Sequence, residues 1–195
     1  MSRKGTPLTR RLARKNREKN DRFPPVSGGY IRTQRGAPVR ALSYGCAHMD
    51  YNGCEVIAAY HALLSLGHPQ SLQQTAEEFC LFPRSLWLFG VFGTRPGALP
   101  RYFEKRGFSV FRVPRKSFRR GIFRLPDSDI SVYIYSYWNP RFRGIHTVEL
   151  HRTPGGWAVY NYMPLYGRCF PSPEALLSAI PAARPICLTG ISLYD

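Results

Sequence analysis

The order of hydrophobic periodicities along the chain predicts an α+β domain, with helices first and an antiparallel sheet after them. Three observations carry that expectation. From Cys54 to Leu66 the residues after Glu55 are apolar except for His61 and Ser65, which predicts a helix buried on most sides. Two shorter amphipathic stretches follow before residue 107. Beyond Phe108 the pattern changes to short runs of β-branched and aromatic residues separated by Pro, Gly and Asp, which is how antiparallel strands read.

Each element has a local reason. Gly67 stops the first helix by supplying the left-handed conformation that ends helices. Ser71 caps a second helix through Phe79, with Gln74 three residues on to complete a capping box. Gly97 to Gly107, containing Leu99, Tyr102 and Phe103, reads as a third and shorter helix. Strands are expected at Phe108–Val113, Ile130–Trp138, Ile145–Arg152 and Trp157–Tyr162. Ser172 to Ile180 reads as a late helix and Ile186–Leu193 as a closing strand.

Residues 1–25 are polar, end in Pro24-Pro25 and read as a flexible basic arm. Residues 26–195 read as a single domain, entered through a Gly- and Pro-containing approach up to Gly45. The arm holds nine Lys and Arg against Glu18 and Asp21, a net +7 of the chain's +16. Such a tail suits weak contact with nucleic acid or another polyanion. At 195 residues the chain can bury roughly 70% of its unfolded surface. Five cysteines, an odd number with no C-x-x-C pair, fit a reducing compartment and support neither a zinc ribbon nor a dithiol motif. With no secretory signal and no apolar run of membrane-spanning length, the expectation is a cytoplasmic protein without a membrane span.

Chemistry concentrates at three places. Cys54 stands where the polar run Tyr51-Asn52-Gly53 turns into the apolar helix, and a helix N-terminus favours thiolate. His146 opens one strand, and Asn161 lies near the end of the next. If Thr153 to Gly156 forms the turn, Arg152 pairs with Trp157 and Val148 lies opposite Asn161. Asn161 is then the diagonal same-face neighbour of His146, at roughly 7–8 Å, with its side-chain oxygen able to hold the imidazole N–H. The helix end alone contributes only about 0.3–1 kcal/mol, less than one pKa unit, and Glu55 opposes it. A neighbouring imidazolium is therefore required, and His146 is the candidate. His61, two helical turns along, is too far away, and His151 points to the other face with Glu149.

The stretch from Asn52 to Leu63, with His146 and Asn161 downstream, resembles papain-like cysteine peptidases of the bacteriocin-processing type and their stand-alone relatives. The resemblance covers approximately Tyr44 to Tyr162. It implies a papain-like fold with N-terminal helices on a C-terminal sheet, and a Cys54-His146-Asn161 triad cleaving peptide or related amide bonds. It implies neither metal nor organic cofactor. The family commonly places a glutamine six residues before the nucleophile as oxyanion donor. Here that position is His48, so His48 and Asn52 are the candidates, alongside the Cys54 backbone N–H. Cys46, Cys80, Cys169 and Cys187 read as structural.

A further basic run, Arg112, Arg115, Lys116, Arg119 and Arg120, interleaved with phenylalanines and free of acids, could bind phosphates, while composition alone favours a solvated basic loop whose phenylalanines face the core. Two alternatives to a peptidase stay open on sequence. One is a non-catalytic papain-fold protein binding a polyanion, and the other a thiol acyltransferase.

Overall fold

The structure is a computed structural model that describes residues 5–113, 125, 130–140, 144–180 and 184–193. Helix α1 spans Pro7–Asn20, capped by the Thr6 hydroxyl, which accepts from the Thr9 N–H at 3.2 Å. Two short strands, β1 (Ser43–Tyr44) and β2 (Ala47–His48), pair antiparallel and lead into the four-residue helix α2 (Met49–Asn52). Helices α3 (Cys54–Ser65), α4 (Leu72–Leu81) and α5 (Ala98–Lys105) follow. The strands are β3 (Ser109–Arg112), β4 (Val132–Asn139), β5 (Gly144–Thr153), β6 (Gly156–Val159) and β7 (Arg184–Ser192), with helix α6 (Pro173–Ala179) before the last. The sheet is antiparallel in the spatial order β3-β7-β4-β5-β6. The chain is thus mixed α+β.

Strand pleating divides the sheet residues between two cores. On one side α3 lies against β5 and β4, and Val56, Ile57, Leu63, Phe79 and Phe103 join Val132 and Ile134. On the other, Tyr133, Tyr135, Val148 and Leu150 pack with Trp157 and with Leu176 of α6. The capping box of α4 is half formed: the Ser71 hydroxyl accepts from the Gln74 N–H at 3.1 Å, while the Gln74 side chain turns to Glu78.

The largest departure from expectation is at the N-terminus. Residues 7–20 form a docked helix where the sequence suggested a flexible arm. Ala13, Asn16 and Asn20 recur on one face and are buried. Asn16 donates to the Gly45 carbonyl at 3.0 Å, and Asn20 exchanges two hydrogen bonds with the Ser43 backbone at 2.7 and 3.0 Å. Small and amide side chains make the contact, so hydropathy carries no sign of it. Arg17 pairs with Glu77 of α4, leaving the other basic side chains of α1 facing solvent.

Candidate functional site

Gly53 joins α2 to α3 because a Cβ there would overlap the side chain and carbonyl of Met49. That tight junction puts Cys54 at the first position of α3, 5% exposed. At this end of the helix a cleft of about 850 Å³ is lined by Cys54, Glu55, Asn52, Gln34, His146 and Asn161, among others. The three residues read as a triad therefore border one cavity. The Cys54 sulfur lies 3.8 Å from the carbonyl of Ile145, next to His146.

The contacts within this group differ from the expected ion pair. The Cys54 thiol donates to Glu55 Oε2 at 3.2 Å. Burial first, then the Glu55 charge and that hydrogen bond, hold the thiol well above its ordinary range. Glu55 is itself buried, which pushes its carboxyl up to about 7 despite support from Cys54, Thr147 and the Thr94 backbone N–H. Thr147 donates to its other oxygen at 3.3 Å. Burial also lowers the pKa of His146. The resting site therefore holds a thiol and a neutral imidazole in place of thiolate and imidazolium. His146 pairs with Tyr137 across the sheet, whereas Thr147 turns toward α3, so thiol and imidazole approach from opposite faces at the start of β5.

Asn161 supports the imidazole through a different atom from the one expected. The predicted register holds from Thr153↔Gly156 to Leu150↔Val159 and then ends, because the chain leaves the sheet. Asn161 adopts φ +56°, and its backbone N–H donates to the Ile31 carbonyl at 3.1 Å. Its own carbonyl lies 3.1 Å from His146 Nε2. A carbonyl can only accept, so Nε2 carries the hydrogen and Nδ1 is the basic nitrogen of the neutral ring.

The Asn161 side chain serves another purpose. Its Oδ1 accepts from the Gln34 N–H at 2.8 Å, and its Nδ2 donates to Gln34 Oε1 at 3.2 Å. Gln34 Nε2 in turn donates to the Asp50 carbonyl at 2.6 Å. Gln34 thus bridges α2, next to Cys54, and the residue that holds His146. Residues 29–34 are further fixed by Tyr60, whose hydroxyl donates to the Gly29 carbonyl at 2.7 Å, and by His61, whose Nε2 accepts from the Ile31 N–H at 2.7 Å. His61 is fully buried and neutral, its pKa lowered to about 3 by burial.

Both oxyanion candidates are corrected. His48 is exposed at the start of α2 and does not line the cleft. Asn52 does line it, but its amide nitrogen donates to the carbonyls of Tyr44, at 2.9 Å, and Gly90. Its Oδ1 is left without a partner among the described residues. The backbone N–H of Cys54, in the first turn of α3, keeps the donor role open to it. Gln34 gave no signal in the sequence, and Glu55 was visible there only as a neighbour that opposes ionisation.

In the second basic run, Arg112 pairs with Glu104 at 2.6 Å. Arg115, Lys116, Arg119 and Arg120 lie outside the described residues. All five cysteines are free. No helix among the described residues is long and apolar enough to cross a membrane. No family model matches the chain, and no curated protein or solved structure matches it.

Proposed function

We propose that the chain is a papain-like thiol hydrolase acting on peptide or related amide bonds. The observation that carries this reading is the meeting of a helix-start cysteine with a strand histidine and Asn161 around one cleft. In the scheme, the Cys54 sulfur attacks the carbonyl carbon as its proton leaves, and the carbonyl electron pair moves onto oxygen beside the Cys54 N–H. His146 Nδ1 relays the proton to the departing amine, and water then releases the acyl group. Asn161 holds the ring through its carbonyl. The test is intact-mass analysis during incubation with a diverse peptide mixture. A thioester adduct mapping to Cys54 and removed by hydroxylamine is expected. Absence of both adduct and cleavage would overturn the hydrolase. An adduct passed to an added amine in preference to water would make the chain an acyltransferase.

Helix α1 favours a second, compatible reading, in which the protein also contacts a nucleic acid. Docked on the body, it presents Arg10, Arg11, Arg14, Lys15 and Lys19 to solvent on a fixed frame. Binding would be sequence-independent and would weaken as salt rises, because phosphate contacts release counterions. Replacing Arg10, Arg11 and Lys15 together by glutamine is expected to weaken binding and to flatten the salt slope by about 1 for each phosphate no longer neutralised. Fluorescence anisotropy with a labelled oligonucleotide checks this. An unchanged slope would leave the exposed charges as a solvated face.

A further inference from the structure

Acceptor oxygens collect beside the thiol. Glu55 Oε2 takes the Cys54 hydrogen, and Oε1 is held by Thr147. Among the described residues no Lys or Arg forms an ion pair with Glu55. Across Gly93, whose missing Cβ would meet both the Asn52 carbonyl and Glu55 Oε2, lies Asn52. Its amide nitrogen is pinned by two backbone carbonyls, and in this residue, only 4% exposed, Oδ1 has no partner among the described residues. Asp50 lines the same cleft, as do Tyr51, Trp87, Phe92, Trp138 and Tyr162. A carboxylate without a counter-ion, an orphaned acceptor and aromatic walls together form an environment for a cation.

We propose that this cleft is a subsite for a positive charge, so that the substrate of Cys54 is an amide bearing an ammonium or guanidinium next to the reacting carbonyl. The proposal rests on the thiol-hydrolase reading and names its substrate class. It also explains how a protonated thiol becomes reactive. A cation docked on Glu55 cancels the charge that opposes ionisation of Cys54. The other ionisable groups facing the pair do not replace that cation: Tyr44 and Tyr137 are neutral phenols, and His146 is a neutral imidazole. Arg35, exposed, is the only Lys or Arg among the described residues lining the cleft. The selectivity is local, since the net charge of +16 repels cations at long range.

Charged methanethiosulfonates test this without a substrate. The Cys54 sulfur forms a disulfide with the reagent sulfur, and methanesulfinate leaves. Mass spectrometry reads each cysteine separately, so the exposed Cys46 and Cys169 are internal references. The cationic-to-anionic rate ratio at Cys54 is expected to exceed that at both references by about tenfold or more. Glu55→Gln should bring it down to the reference value, and Glu55→Asp, which keeps the charge, should preserve most of it.

Labelling with a neutral reagent adds a pH signature. Below pH 7, where the Glu55 carboxyl is protonated, native protein and Glu55→Gln should label alike. Above it the native rate should level off while the variant rate keeps rising about tenfold per unit. Equal ratios at the three cysteines, or a preference that survives Glu55→Gln, would overturn the proposal. Failure of the hydrolase reading would instead appear as absence of any acyl adduct, with the charge preference intact.

Discussion

Replacing Cys54 with alanine is expected to lower hydrolysis by on the order of 10⁴–10⁶-fold while leaving the fold intact. The sulfur begins a helix and borders a cleft, so the space that its removal opens is shared with that cleft. Its nearest side-chain partner is Glu55, which keeps Thr147 and the Thr94 N–H after the change, and the Ile145 carbonyl loses only a weak thiol contact at 3.8 Å. The stability cost should therefore stay near about 1 kcal/mol. Urea denaturation and turnover on a peptide found in the adduct screen give the two readings. A variant that loses activity by unfolding would make Cys54 a packing residue, and one that remains active would dismiss it as nucleophile.

Asn161 gives the second large effect. Valine there combines a β-branched side chain with φ +56°, a conformation strained for such residues, and should swing the carbonyl away from His146 Nε2. A shift of about 1 Å can cost about 100-fold, and a loss of that order in kcat is expected. Asn161→Gly tolerates the conformation and keeps the carbonyl, so it should stay within about tenfold of the native rate. The imidazole nitrogen shifts of His146 should follow the same order without need of a substrate. Equal losses for glycine and valine would return the orienting role to the Asn161 side chain.

Much of the frame was legible because it is written in periodicity. The α3 run, the Ser71 cap and the alternating strands each carry a local signal, and the register through Arg152↔Trp157 followed from a Pro-Gly-Gly turn. Helix α1 escaped because its buried face is built from Ala13, Asn16 and Asn20. The failure at Asn161 is of another kind. A register can be extended only while the chain stays in the sheet, and the backbone bond to Ile31 pulls it out two residues after β6 ends. Gln34 lies 127 positions from Asn161, and no local pattern announces a contact so distant. The unionised thiol follows from burial by the whole fold, which adjacent residues do not report.

The place of β7 between β3 and β4 bears on how the protein is made. A strand that pairs on both sides, yet comes after every other strand in chain order, completes the sheet only once residues 184–192 have been synthesised. The nascent chain can assemble α1 to α5 early, since α1 finds its partners on β1 and α4 within the first half of the chain. Once β5 ends at Thr153, it must carry β4 with one open edge until β7 ends at Ser192, while residues are added at ~5–20 per second. Exposed strand edges invite pairing with other chains, so this interval is when the polypeptide is most exposed to aggregation and most in need of a chaperone. Premature termination shortly before Arg184 would yield a fragment that contains Cys54, His146 and Asn161 yet lacks the strand on which their supporting sheet closes.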